Sequence, residues 1–455
     1  MDEATGRVLG FARERAAAYL AGVRERAVSP NDAAVAGLNA FVEPLPQGPS
    51  DAVDVLRLLD GAGSPGTVAT AGARYFGFVT GGVLPAALGA AWLATAWDQN
   101  AVLRVGSPVA ARLEEIAAGW VLELLGLPAG SGVGFVTGAT MANFTAMCAA
   151  RHALLRRAGW DVEAQGLFGA PEFRVVVGEE VHASLLKALA LAGLGRERVE
   201  RVPTDAQGRM SAAALPELDE RTLVCIQAGN VNTGAFDPVE EVCERARGRG
   251  AWVHVDGAFG LWARACAERA HLARGVELAD SWATDCHKWL NVPYDSGLVI
   301  CRDAGAVRAG MASPAPYLLE GAEREPYHYV PEMSRRARGI EVWAALRSLG
   351  RTGVAELVER CCLLAARFAH GLRGAGFEVP HDVVLNQVLV RFGDDAATDR
   401  VIEAVQREGT CWCGGTTWKG RRAMRISISS WATAEADVDA SLDAVTRCAR
   451  EAGRR

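Results

Sequence analysis

The sequence predicts an α/β protein, with a mostly parallel central sheet followed by a smaller α+β part at the C-terminus. Three observations carry that expectation. At 455 residues the chain is long enough for a large core and more than one domain. From about residue 107 to 310, short apolar runs alternate with helical segments, which is the pattern of βαβ units. After about residue 335 one long helix opens a segment of mixed strands and helices.

Residues 1–75 read as an N-terminal helical arm. Between Gly6 and Arg26, the residues Val8, Leu9, Phe11, Tyr19, Leu20 and Val23 recur among Arg and Glu at helical intervals. The Pro- and Gly-punctuated stretch from Phe41 to Pro49 interrupts regular structure. A second helix follows, marked by Val53, Leu56, Leu58 and Leu59. Such an arm has too little core of its own and is expected to pack on a partner. From Val79 to Trp97 there are nineteen residues without a charge, long enough to span a bilayer. Three glycines, Pro85, two threonines and the immediately following Asp98 argue instead for a helix buried against the core or a second subunit.

Residues 76–310 form the expected large domain. Helix Ser107–Leu125 ends at Gly126, and strands are expected at Val133–Val136, Arg174–Val177, Leu223–Gln227, Trp252–Val255 and Gly297–Cys301. Helices Met141–Arg157, His182–Ala192 and Val239–Arg247 lie between them. Residues 311–335 turn irregular, with Met311–Pro316 and Glu323–Pro326, and read as a mobile loop and linker. Residues 336–455 form the small domain, with helix Ile340–Leu349, strands Val383–Arg391 and Met424–Ser429, and helix Glu435–Arg450.

The net charge of −6 argues against nucleic acid or an anionic membrane as a partner. Eleven cysteines without regular spacing, and no secretory signal after Met1-Asp2-Glu3, predict free thiols in a reducing cytoplasm. Cys411-Trp412-Cys413 and Cys361-Cys362 have no second pair at finger spacing, so no metal is expected there.

The chemistry is carried by four features in chain order, each at a strand end where open α/β sheets place ligands. Gly134 to Asn143 runs from a strand through the small-residue turn Gly138-Ala139-Thr140 into a helix, whose free N–H groups suit a phosphate. It matches neither the dinucleotide fingerprint nor the P-loop, which counts against a nicotinamide enzyme. His182 follows the strand Arg174–Val177, where an imidazole can stack on a flat ring or simply cap a helix. Asp256 ends the apolar strand Trp252–Val255, and a carboxylate buried there needs a partner such as a protonated pyridine nitrogen, a metal or a helix end. Lys288 comes 32 residues later. The chain holds 48 Lys plus Arg but only three lysines, and a lysine kept against that bias suits a role needing a deprotonated amine, which arginine does not supply. A phosphate turn, a stacking His, a pyridinium-binding Asp and a Schiff-base Lys together describe a pyridoxal phosphate (PLP) site.

From about residue 70 to 445 the chain resembles the fold-type I, group II PLP-dependent amino acid decarboxylases, which include the aromatic amino acid and glutamate enzymes. The blocks that carry the resemblance are His182 to Ala188, Gly234-Ala235-Phe236-Asp237-Pro238, Val255-Asp256-Gly257-Ala258, His287-Lys288-Trp289 with Pro293 to Gly297, Ser334-Arg335-Arg336 leading to Trp343, and Arg425-Ile426-Ser427. The resemblance implies a fold-type I PLP-dependent transferase fold, a homodimer and α-decarboxylation of an L-amino acid to the amine and CO2. It further implies that Lys288 carries the cofactor, that His182 and Ala258 lie on the two faces of its ring, and that Asp256 pairs with the ring nitrogen. Ala139, Thr140 and His287 would hold the phosphate. Arg425 matches a position near the substrate carboxylate, and Tyr75 to Thr80, including Phe78, matches the substrate mouth. Its aromatic, apolar character favours an aromatic or bulky apolar substrate.

Three departures stand out. Asn230-Val231 replaces a frequent Thr-Thr, and Asp285 replaces a frequent Asn two residues before His287. An anion beside phosphate is repulsive, so Asp285 is expected to point elsewhere or toward another subunit. The loop that carries the family's proton-donating tyrosine is shortened, leaving Tyr327 or Tyr329, with Tyr327 preferred. Without that tyrosine, a decarboxylation-dependent aldehyde synthase or another PLP carbon–carbon lyase is an alternative, and Arg425 leaves acidic substrates open. A non-catalytic binding protein on the same fold is another, opposed by the joint presence of Lys288, Asp256 and His182.

Overall fold

The computed structural model describes residues 2–313 and 323–452, and the middle of the expected mobile loop lies outside them. The chain divides into two compact units, one of Met1–Thr80, Arg367–Pro380 and Leu389–Arg455, the other of Gly81–Ala366 and His381–Val388.

The first unit begins with helices α1 (Glu3–Gly22), α2 (Asp32–Gly37) and α3 (Ala52–Gly66). Asp2, Asn31 and Asp51 start them by accepting backbone N–H bonds at the N-caps. None of the three helices buries a residue, and Leu9, Val55 and Leu59 are exposed.

The second unit opens with α4 (Pro85–Trp97) and α5 (Pro108–Leu125). The charge-free run starts buried, at Val79 to Gly82 and Leu84, but within α4 only Ala87 is buried while Trp92, Leu93 and Trp97 are exposed. Of the two expected covers, the core or a second subunit, the core of this chain does not cover that helix. No helix among the described residues is long and apolar enough to cross a membrane. Ser107 caps α5, and Gly126, with φ of 62°, ends it in the left-handed conformation that suits glycine.

There follow β1 (Gly132–Val136), α6 (Ala139–Arg157), α7 (Val162–Gln165), β2 (Arg174–Gly178), α8 (Ala183–Leu191), β3 (Val199–Val202), β4 (Thr222–Gln227), α9 (Val239–Arg247), β5 (Trp252–Asp256), β6 (Ser281–Asp285), β7 (Gly297–Cys301), α10 (Ala304–Met311) and α11 (Gly339–Gly374). The seven strands form one sheet in the order β1-β7-β6-β5-β4-β2-β3, with β7 antiparallel to both neighbours and the remaining pairs parallel. Every residue of β1, β5, β6 and β7 is buried, as a sheet covered on both faces requires. Two strands, β3 and β6, were not among those expected. β3 is half-exposed and charged, and β6, Ser281-Trp282-Ala283-Thr284-Asp285, is buried throughout yet mixes polar and apolar residues, so neither an apolar run nor an alternation marks it.

Helix α11 kinks at Gly350, whose φ of 62° breaks the helical run where the expected helix ended at Leu349. The chain closes with β8 (Gln387–Val390), α12 (Asp395–Glu408), β9 (Gly414–Trp418), β10 (Arg421–Ser427) and α13 (Glu435–Ala452). These strands form a three-stranded sheet in the order β8-β10-β9. β8 is shorter than the expected Val383–Arg391. All eleven cysteines are buried and unpaired, in line with the expected free thiols.

Candidate active site

The ends of β5 and β6 set the site. Asp256 closes β5 and pairs in register with Ala283 on β6, two residues before Asp285. The loops beyond are tied together, because the Asp285 N–H donates to the Ala258 carbonyl at 2.8 Å. Trp282 on β6 and Trp289 and Leu290, which follow Lys288 in the chain, are buried, and the Trp262 indole donates to the Asp285 carbonyl at 3.1 Å. This apolar packing sets where the polar groups between these residues point.

Asp285 points into the site, not away from it. Its side chain is 3 % exposed, one carboxylate oxygen accepts from the Ala139 N–H at 2.5 Å, and the other lies 2.9 Å from Lys288 Nζ. The reason is electrostatic. Ala139 is the first residue of α6, Gly138 before it offers no side-chain cap, and the positive helix end attracts an anion. His287 Nε2 faces the same carboxylate at 3.6 Å, while its Nδ1 accepts from the Ser296 N–H at 3.2 Å, so the neutral ring carries its proton on Nε2. Its ring stacks on Tyr294 with centroids 4.4 Å apart, and burial lowers its pKa.

The turn is built on close backbone approach. A Cβ on Gly297 would lie 2.5 Å from Gly138 Cα, and one on Gly81 would lie 1.6 Å from the Lys288 carbonyl oxygen. Gly81 also donates to the His287 carbonyl at 3.3 Å.

Asp256 is 4 % exposed. The Ala258 N–H reaches one of its oxygens at 3.3 Å and the Asn143 amide donates to the other at 3.1 Å. Ala258 is half-buried beside it. Thr140 follows Ala139 in the first turn of α6 and is also half-buried. His182 lies at the β2 end, its loop tied to β4 by Gln227 Nε2 donating to the Glu180 carbonyl at 2.7 Å. It is exposed and caps α8, with Nδ1 accepting from the Ser184 N–H at 3.2 Å. Tyr327 is 2 % exposed in a short 3₁₀ turn, with its ring against His328 and its N–H on the Val102 carbonyl.

Phe78 and Arg425 belong to the other unit. There Tyr75 stacks on Trp412 at 5.0 Å and Phe78 lies 5.5 Å from the same indole, itself 63 % exposed. Arg425 on β10 has no ion-pair partner among the described residues, and burial lowers its pKa. Asn230 is spent locally, its side-chain oxygen accepting from the N–H groups of Asn232 and Thr233.

Sequence reasoning missed Asn143, Gly81 and the buried ion pair of Glu114 with Arg335 at 2.7 Å. Asn143 had a visible signal, an amide inside an apolar helix. Gly81 had none, because its partner is 207 positions away in the chain.

The donor set fits PLP. A helix end without a side-chain cap of its own that already draws a carboxylate suits a phosphate, a buried carboxylate suits a pyridinium, and the Lys288 amine pairs with the carboxylate at that helix end.

Residues 67–392 match the family model described as the pyridoxal-dependent decarboxylase conserved domain. Over 405 residues the chain is 28 % identical to tryptophan decarboxylase 1 of Oryza sativa subsp. japonica, covering 80 % of this chain and 78 % of that one. It is also 28 % identical over 331 residues to an acidic amino acid decarboxylase of Xenopus tropicalis, covering 69 % and 63 %. The fold superimposes on that of Oryza sativa TDC crystallised with PLP and tryptamine at a TM-score of 0.91, with 24 % identity and coverage of 99 % and 98 %.

Proposed function

We propose, from the premise that this chain belongs to the pyridoxal-dependent decarboxylase family, that it converts an aromatic or bulky apolar L-amino acid to its amine and CO2. Membership makes it a PLP-dependent carboxy-lyase acting on an amino acid. The choice of side chain is our reading, and the observation that carries it is the aromatic, apolar run from Tyr75 to Thr80, which the resemblance assigns to the substrate mouth. The tryptophan decarboxylase among the relatives supports it, while the acidic amino acid decarboxylase keeps an opposing outcome in the test.

Bound PLP supplies an electron sink for the pair left when CO2 departs. In this reading Ala139, Thr140 and His287 would hold its phosphate, Asp256 would pair with its ring nitrogen, and His182 and Ala258 would flank its ring. Lys288 is the amine joined to it. Asp285, 2.9 Å from Lys288 Nζ, would pair with the lysine in its ammonium form whenever that amine is not joined to the cofactor. Arg425 is our candidate for the substrate carboxylate and Phe78 for its side chain. Tyr327, or His182 through a relay, returns a proton to the α-carbon. The homodimer and the cytoplasmic setting belong to the same reading, and the exposed apolar residues of α1 and α3 support the former.

The test is to reconstitute the protein with PLP and measure CO2 from each of the twenty amino acids, with amine, aldehyde and peroxide assayed in one incubation. CO2 with amine from tryptophan, tyrosine or phenylalanine is expected. Release only from glutamate or aspartate overturns the substrate assignment, and aldehyde with peroxide overturns the amine product.

A further inference from the structure

Behind Asp256 lies a line of polar side chains that the chemistry above does not use. Trp252, His254 and Asp256 alternate along β5, so their side chains share one face of the sheet. His254 pairs in register with Ser281 on β6, and α6 covers that face with Asn143. Asn143, His254 and Ser281 are fully buried, and Trp252 is 2 % exposed.

The distances form an unbroken chain. The Trp252 indole N–H donates to Ser281 Oγ at 2.9 Å, and Ser281 Oγ lies 2.9 Å from His254 Nδ1. His254 Nε2 lies 2.8 Å from Asn143 Oδ1, and Asn143 Nδ2 donates to Asp256 at 3.1 Å. The two ends decide the direction. An indole only donates and an ionised carboxylate only accepts. The Asn143 amide therefore turns its NH2 to Asp256 and its carbonyl to His254. That carbonyl needs the proton on Nε2, which leaves Nδ1 to accept from the Ser281 hydroxyl. Run the other way, the Asn143 carbonyl faces the Asp256 carboxylate with no proton between them, a repulsive contact in a site without water to screen it. Burial supports this assignment, pushing the His254 pKa down to about 3, so the ring is neutral and free to accept at Nδ1.

We infer that Ser281, His254 and Asn143 are positioning residues, a one-way hydrogen-bond relay that holds Asp256 as an anion facing the cofactor and so keeps the proton on the cofactor's ring nitrogen. The relay rests on the reading that Asp256 meets that nitrogen. It acts through Asn143, whose amide it locks against flipping. Each link polarises the next in the same sense, toward the carboxylate.

The experiment uses the full chain loaded with PLP labelled with ¹⁵N in the ring, whose NMR shift separates protonated from bare nitrogen, together with the PLP dissociation constant. His254→Leu is expected to move the ring-nitrogen signal toward the bare form and weaken PLP binding about tenfold, the scale on which supporting hydrogen bonds act on a bound group. His254→Gln keeps a donor toward Asn143 and an acceptor toward Ser281, and is expected to retain the wild-type signal. A wild-type signal in His254→Leu overturns the relay, and so does a bare-nitrogen signal in His254→Gln, because packing alone does not separate them in this sense. Should His254→Leu fail to fold, Ser281→Ala removes only the hydroxyl and is expected to shift the signal in the same direction, with no shift counting against the relay. Asp256→Ala separates the two levels. An unchanged nitrogen signal there refutes the reading of Asp256 itself, whereas a changed one with an unchanged His254→Leu refutes only the relay.

Discussion

Lys288 Nζ and Asp285 form an ion pair at 2.9 Å, and the second oxygen of that carboxylate takes the first amide of α6 at 2.5 Å. One anion thus serves both the amine and the helix end that we propose for the cofactor's aldehyde and phosphate. Its charge is the unusual element, because a phosphate reaching that helix end meets a carboxylate.

Asp285→Asn keeps an acceptor for the Ala139 N–H and removes the charge. PLP binding by the apo-protein is expected to tighten about tenfold, a modest share of the repulsion between neighbouring charges at a partly screened site. An absorbance titration of apo-protein measures it. Weaker binding in the variant would show that the carboxylate does not face the phosphate.

Lys288→Ala removes the only amine in the cradle among the described residues. Turnover is expected to fall about 10³-fold or more, the scale of losing a nucleophile that also moves protons. Borohydride reduction followed by peptide mapping should find PLP attached to Lys288 in the wild type and absent from the variant. Lys288→Arg should be equally inactive although it keeps the charge beside Asp285, because a guanidinium does not deprotonate.

Gly81→Ala drives a methyl group into the Lys288 carbonyl, 1.6 Å away in the native backbone. Stability is expected to drop by about 1–3 kcal/mol, as in other overpacked sites, with PLP retention falling alongside it. Gly89→Ala on α4 has open space around its new methyl and serves as the control, with stability unchanged or slightly raised. Thermal melts with and without PLP compare the two. Equal behaviour would mean that the Gly81 contact is not required.

His254 is buried neutral, its pKa pushed from 6.5 to about 3. The unfolded chain therefore takes up a proton that the fold refuses, and stability falls as pH drops from 6.5 toward 3. The His254 contribution is about 1.4 kcal/mol per pH unit, or about 2 kcal/mol between pH 6.5 and 5. Urea denaturation at those two pH values should show a smaller loss in His254→Gln, which has nothing to titrate there. An identical slope in both proteins would refute this source of acid sensitivity.

Much of the large domain was legible because its rules are local. Ser107 and Gly126 bracket a helix by capping chemistry, and Val239–Arg247 repeats at helical spacing with acids in its first turn and arginines in its last. β6 escaped because Ser281-Trp282-Ala283-Thr284-Asp285 shows neither the alternation of a half-buried strand nor the apolar run of a covered one, although it carries Asp285 to the site. For α4 the core and a second subunit were both left open, since an apolar run does not say which surface covers it.

The sequence by itself determined which side chains are capable of the chemistry. Lys288 stands out because arginine replaces lysine nearly everywhere else, and Asp256 because it ends an apolar strand. Residue type and near-neighbour spacing suffice for that. Only the tertiary structure decided what those groups do to one another. Asp285 was expected to turn away from the site, yet the helix end at Ala139 and the Lys288 ammonium, 146 and three positions away in the chain, draw it in. Asn143 looked like one polar residue in a helix until β5 and β6 brought His254, Ser281 and Trp252 behind it. Charge and hydrogen bonding act over a few ångströms of space, and the register of a sheet, not distance along the chain, sets which groups share that space.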